Sequence, residues 1–223
     1  MTHFRIDKNS YGTILLAWLA GAAVLVPLWI WVPNLWVTVP VTVVAGVFMC
    51  FVTWFFRVPE RPIPAGERLV TSVCDGKVVI VEKAFEKEYL KRECIQVSVY
   101  MNFFDVHCNF WPCDGEISYY KYHPGKYMLA FLEKSSDLNE HASSVIRTPD
   151  GDEIFFKQIA GTFARRIVCY SQPGLAVHRG KQCGVIKFGS RIDMYLPLDA
   201  DVKVKVGQEL RAVKSVVAVL PKR

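Results

Sequence analysis

Two hydropathy regimes divide this chain. From residue 9 to residue 56 there is no charged side chain. Within that stretch, residues 13–32 and 36–56 are each long enough to cross a hydrocarbon core as a helix, which takes about 20 residues. Pro33 and Asn34 separate the two runs and predict a tight turn, with Trp29, Trp31 and Trp36 gathered beside it as interfacial aromatics are. The length of the apolar region, its second run and the lack of a small-residue cleavage site argue against a removable signal peptide. Pro27 and Pro40 interrupt the two runs, so a hairpin that dips into one leaflet stands as an alternative to full spanning.

Beyond the proline-rich segment 58–64 the pattern becomes short runs of β-branched and aromatic residues bounded by turn residues. Residues 77–81, 95–100, 116–122 and 153–156 read as strands. Thr148-Pro149-Asp150-Gly151-Asp152 is a hairpin turn signal, and residues 127–146 read as a helical or flexible interruption. From residue 166 onward, strand-like runs alternate with Pro-Gly and Val-Gly turns. The expected class is mostly β (α+β): a β-barrel or sandwich that resembles lipoyl and biotinyl carrier domains, at residues 58–223, preceded by a helical membrane hairpin at residues 1–57.

Charge and composition sharpen this reading. Hydrophobic residues make up 52% of the 223 and mean hydropathy is +0.20, high for a protein without membrane contact. The net charge of +6 is spread without a dense basic block, which favours an anionic membrane surface over nucleic acid as partner. Arg5 and Lys8 precede the apolar pair, and Arg57, Arg61 and Arg68 follow it. Positive flanks on both sides place both ends, and the β domain, on the cytoplasmic side of the cell membrane. Seven cysteines without a CxxC pair predict reduced thiols. His107, Cys108 and Cys113 lack a second ligand pair, so no metal site is expected.

The chemistry centres on residues 184–197, GVIKFGSRIDMYLP. Two strand-like runs joined by Gly-Ser ordinarily mean a bend or bulge. A serine can also attack the carbonyl before it when the backbone is bent enough, and a preceding glycine both unshields that carbonyl and permits the bend. Elimination from the resulting ester cuts the chain and leaves dehydroalanine, which hydrolyses to a pyruvoyl group.

That run resembles the processing segment of the short-form phosphatidylserine decarboxylases. Ser72-Val73-Cys74-Asp75-Gly76-Lys77-Val78 is similar to the family's acidic segment, and residues 101–115, MNFFDVHCNFWPCDG, to its histidine segment. The order and spacing of the three also match. The resemblance implies a pyruvoyl-dependent lyase, made as a zymogen and cleaved between Gly189 and Ser190 into a large and a small subunit that stay together; homo-oligomerisation is compatible with it. It implies a covalent pyruvoyl cofactor at Ser190 that forms a Schiff base with membrane phosphatidylserine and yields phosphatidylethanolamine. It further implies that His107 is the general base, since histidine titrates near working pH, and that Asp75 orients it; Phe110 stands where long forms carry a second histidine, so His123, His141 and His178 are alternatives for that role. Arg179 and Arg191 are candidates for the lipid phosphate, given the bidentate geometry of guanidinium.

Two other classes fit parts of the pattern. A membrane-tethered serine hydrolase would use Ser190, His107 and Asp75 as a permanent triad, although no GxSxG elbow is present. An anchored, non-enzymatic carrier-like β module would need none of them. Scission at one Gly-Ser bond separates the three readings.

Overall fold

The computed structural model describes residues 4–126, 138–161, 167–187 and 190–222. The chain divides into two compact units, residues 1–60 and 61–223.

In the first unit, uniformly apolar sequence forms two helices, α1 (Tyr11–Trp31) and α2 (Leu35–Phe55). Both are long and apolar enough to cross a membrane, and both continue through their internal prolines, Pro27 and Pro40. Asn34 caps α2 by accepting from the Trp36 amide at 3.0 Å, which supplies one of the bonds a helix start lacks. Across the hairpin, Trp18 donates to Thr53 at 3.1 Å and Trp29 to Thr42 at 2.9 Å. Both threonines also bond a carbonyl one turn back, so these polar groups are satisfied within the hairpin, as a lipid surrounding requires. β1 (Phe4–Ile6) and β2 (Arg57–Pro59) pair antiparallel and close the hairpin at its charged ends.

The second unit is built from strands. In chain order they are β3 (Leu69–Thr71), β4 (Gly76–Glu86), β5 (Arg92–Met101), β6 (Cys108–Phe110), β7 (Gly115–His123), β8 (His141–Arg147) and β9 (Glu153–Ala160), followed by β10 (Ile167–Cys169), β11 (Ala176–Val177), β12 (Gln182–Ile186), β13 (Ser190–Leu196), β14 (Asp201–Val202), β15 (Glu209–Leu210) and β16 (Val216–Val219). An eight-stranded sheet runs β11-β7-β8-β9-β13-β5-β4-β15, and β10-β12-β6 and β14-β16-β3 form two smaller sheets. The class is the expected one, mostly β behind a helical hairpin.

Strand alternation sorts the large sheet into two faces. Val97, Val99, Met101, Ile154, Phe156, Ile192 and Met194 point inward to one core, together with Val70, Cys183, Ile186 and Val217 from the smaller sheets. The opposite face packs a smaller cluster of Cys94, Val145, Phe155 and Tyr195. All seven cysteines are free thiols. The Thr148–Asp152 turn closes the β8–β9 hairpin, with the Thr148 amide donating to the Asp152 carbonyl at 2.8 Å. Residues 127–137 of the expected helical or flexible stretch lie outside the described residues; from His141 that stretch is strand β8, a correction to the sequence reading.

Gly76 opens β4 at φ 138°, a conformation side chains rarely adopt, and a Cβ there would lie 2.1 Å from the Tyr100 carbonyl oxygen. Gly76→Ala is expected to cost about 3 kcal/mol or more from strain and overpacking together, read as a lowered denaturation midpoint. A loss under about 1 kcal/mol would contradict that close approach.

Candidate active site

Ser190 begins β13 between two strands, opposite Met101 of β5 and Ala160 of β9. Gly76 of β4 lies against Met101 in turn, since β4 and β5 pair Lys77 with Tyr100. The acidic segment and the Ser190 segment therefore meet on either side of Met101, two strand spacings or roughly 10 Å apart. His107 precedes β6, and its carbonyl accepts from the Ile186 amide at 3.1 Å, continuing the β12–β6 ladder. Only residues 187–189 separate Ile186 from Ser190. All three segments singled out in the sequence thus converge at one end of the unit. Phe188 and Gly189, hence the bond to be cut, lie outside the described residues.

Side-chain direction strengthens the convergence. Asn109, two residues after His107, donates to the Met101 sulfur at 3.9 Å, and the Ser190 hydroxyl donates to that sulfur at 3.7 Å. Residues two apart in an extended run face the same way, so His107 shares the Asn109 side of the ladder. His107 and Ser190 are both fully buried. His107 Nδ1 lies 3.0 Å from the Asp105 carbonyl oxygen, which can only accept, so a neutral ring carries its proton on Nδ1 and its lone pair on Nε2. Asp105 is itself held, its carboxylate accepting from the Asn102 amide at 2.8 Å.

Asp75 is placed differently from expectation. Its carboxylate takes both Arg61 guanidinium nitrogens, Nη2 at 2.8 Å, and the Ala212 amide at 2.8 Å. Those bonds turn it toward Arg61 and Ala212 rather than to a histidine, and the Asp105 carbonyl occupies the orienting position. Arg191 and Arg179 are not brought to Ser190. Strand alternation sends the fully buried Arg191 to the opposite face, where it bonds Asp193 at 2.6 and 2.9 Å. Arg179 bonds the carbonyls of Leu69, Pro64 and Gly66 beside β11, which pairs with the start of β7, at the far end of the sheet. An open cleft of about 660 Å³ lies there too, but Arg68 on its wall is already paired with Asp150 and Asp152.

Two functional candidates escaped the sequence reading. Gln158 Nε2 donates to Asn109 Oδ1 at 2.7 Å, and both side chains are fully buried. The signal was available in β9: Ile154, Phe156, Gln158 and Ala160 share the inward face, and Gln158 is the polar intruder. Gly184 makes room for it, since a Cβ there would lie 2.9 Å from Gln158 Nε2 and 2.3 Å from the Val168 carbonyl oxygen.

On the outer face Glu88, from the β4–β5 connection, gathers His123 at 2.7 Å, Ser143 at 2.9 Å, Tyr119 at 3.1 Å and Lys157 at 3.7 Å. His141 stacks on His123 at 4.3 Å. Among the described residues this is the group whose ligand atoms could hold a metal, and both oxygens of the Glu88 carboxylate are engaged by protein partners. Burial pushes His141 below its ordinary value, helped by the charges of Lys157 and His123 against the opposing Asn139 carbonyl and Glu88. Burial would raise Glu88, but the His123 and Ser143 bonds and the His123 and Lys157 charges prevail and lower it.

Both shifts make acid destabilising. Below about pH 6.5 the unfolded chain protonates His141 before the folded one does, and the Glu88 contribution is lost further down, below about pH 4.5. The thermal midpoint is expected to fall first as pH drops through about 6.5. His141→Phe, which keeps the stack, should remove that upper phase; an unchanged profile in the variant would exclude His141 as its source.

Comparison with known proteins gives one family. A family model described as phosphatidylserine decarboxylase matches residues 48–218. A phosphatidylserine decarboxylase proenzyme of Amoebophilus asiaticus is 48% identical over 168 residues, 75% of each chain. Those of Syntrophus aciditrophicus and Cupriavidus taiwanensis are 42% and 41% identical, the first over 81% of this chain and 83% of its own, the second over 91% and 92%.

Proposed function

The chain belongs to the phosphatidylserine decarboxylase family, and on that premise we propose that it decarboxylates phosphatidylserine to phosphatidylethanolamine at a pyruvoyl group made from Ser190. The observation that carries the reading is the meeting of three distant segments around Met101, with Ser190 buried among them.

Ser190 Oγ gives its proton to His107 Nε2 and attacks the Gly189 carbonyl carbon. The Gly189–Ser190 amide C–N bond breaks as the ester forms, and the proton taken by His107 passes to the departing nitrogen. Loss of the residue 190 α-proton then expels the Gly189 carboxylate, and the enamine left at residue 190 tautomerises, takes up water and releases ammonia. Asp75 is a positioning residue in this scheme: clamped by Arg61 and Ala212, it fixes the turn that seats Gly76 against Met101.

The surroundings fit a ketone in place of the hydroxyl. Ser190 Oγ bonds a thioether, a weak acceptor, and its neighbours Met101, Ala160 and Ile192 are apolar and buried. A pyruvoyl group supplies a carbonyl that captures the substrate's primary amine and an adjacent amide that accepts electrons as carbon dioxide leaves. The chain's own contribution is an apolar, buried lining there.

Scission leaves β13 paired along both edges, to β5 and to β9, so residues 190–223 stay bound to residues 1–189. The helical hairpin attaches the large subunit to the membrane that holds the substrate. The basic residues flanking the hairpin support a cytoplasmic position for the decarboxylase unit.

The deciding experiment is the intact mass of purified protein with and without hydroxylamine. Two polypeptides divided after Gly189, the smaller lacking a free amine and tagged at a carbonyl, are expected. A single untagged chain would shift the assignment to a serine hydrolase or a carrier-like module.

A further inference from the structure

The inner face beside Ser190 holds a buried polar group that no described residue bonds. Among the described residues Gln158 Oε1 is buried and has no hydrogen-bond partner, while Nε2 of the same carboxamide is committed to Asn109. Buried acceptors left unmade are rare, and each calls for a ligand, an ordered water or a functional reason. The position supplies the reason. Gln158 stands opposite Ile192 in the β9–β13 ladder, and Ser190 stands opposite Ala160. Gln158 and Ser190 are therefore diagonal neighbours on one face, with Cβ atoms about 7 Å apart, within reach of a long side chain.

The carboxamide is also held against rotation. Asn109 Oδ1 takes its Nε2 at 2.7 Å, and Asn109 in turn leans on the Met101 sulfur that receives the Ser190 hydroxyl. The absence of a side chain at Gly184 leaves the space in which the amide sits. With the nitrogen pinned on one side, the free oxygen has a defined direction.

We propose that Gln158 Oε1 is the acceptor for the primary amine of the substrate headgroup at residue 190, and that Asn109 is the positioning residue that aims it. The inference rests on the pyruvoyl reading. An amine brought into an apolar site needs an acceptor for its N–H groups. A carboxylate would serve but would stabilise the ammonium form, which has no lone pair for attack on a carbonyl. An uncharged amide oxygen orients the nitrogen while allowing it to lose its proton. The contact is made by the incoming neutral amine, whose two hydrogens are both present until the condensation removes them. In the condensation one N–C bond forms, and the carbonyl oxygen departs as water carrying two of the amine's hydrogens.

The test uses the full-length protein in phosphatidylserine-containing vesicles and reads adducts by mass rather than turnover. Gln158→Met keeps side-chain length and burial but removes the acceptor. It is expected to self-cleave and to take hydroxylamine as the wild type does, yet to trap phosphatidylserine under cyanoborohydride about 10-fold or more slowly, the effect of one lost buried hydrogen bond. Trapping within about twofold of wild type would overturn the proposal, as would parallel loss of cleavage and hydroxylamine tagging in a folded variant, which would make Gln158 purely structural. A wild type with no hydroxylamine-reactive subunit would instead remove the pyruvoyl reading beneath it. Should Gln158→Met not fold, the structure of the reduced wild-type adduct decides. An adduct nitrogen within about 3.2 Å of Oε1 supports the assignment; an ordered water on Oε1 with the nitrogen beyond about 4 Å overturns it.

Discussion

Ser190→Ala is expected to leave a single uncut polypeptide of full length, blind to hydroxylamine and without turnover of phosphatidylserine. The electrophile is made from this side chain, so its loss removes the chemistry itself, a fall of at least about 10⁶-fold if the whole rate enhancement goes with it. Folding should hardly respond. Among the described residues the hydroxyl bonds the Met101 sulfur alone, at 3.7 Å, and removing a poorly satisfied buried polar group is close to neutral. The denaturation midpoint of the variant should match that of an uncut wild-type precursor, while cleavage and activity vanish together. This separation of stability from chemistry is the informative part. Residual turnover in an uncut Ser190→Ala chain would end the pyruvoyl assignment, and a collapse in stability would mean that Ser190 serves the core.

What the sequence disclosed, and what it hid, follows from the range of the interactions concerned. The three active segments were legible because each is short, and strand pairing later joined them at Met101. The partner of Asp75 was not legible: Arg61 sits in the proline-rich linker and reads as a membrane-flanking charge, yet it closes on Asp75 fourteen positions away. Arg191 was recoverable, because a period of two sends it to the face opposite Ser190. Strand β8 was hidden for the reverse reason. Both of its faces are covered, so Ser143 and Ser144 are adjacent and both buried, which erases the alternation that marks a half-exposed strand. Gln158 needed only the question of which face its neighbours share. Glu88 needed the fold, since His123, Ser143 and Lys157 lie 35 to 69 positions further on.

His107→Ala is expected to slow self-cleavage by about 10²- to 10⁴-fold, the usual contribution of a positioned general base. Precursor should then accumulate, and the small fraction that matures should carry the hydroxylamine-reactive group. The backbone of residue 107 keeps its bond to the Ile186 amide whatever side chain it bears, so the segment running to Ser190 stays in register and the defect is chemical. Free imidazole at high concentration should restore part of the rate, because the substitution vacates a buried, ring-sized space at residue 107. That rescue separates a base from a packing residue: lost van der Waals contact is not replaced by proton transfer, and a packing role would leave cleavage indifferent to imidazole. The Asp105 carbonyl that holds Nδ1 is a backbone group, and so is beyond the reach of side-chain replacement. Asp105→Asn is therefore expected to slow cleavage far less than His107→Ala does, since it alters the brace on the turn and leaves the carbonyl that holds Nδ1 in place. If His107→Ala cleaves at the wild-type rate, the proton goes elsewhere, and the base must be sought among the groups that face residues 187–189.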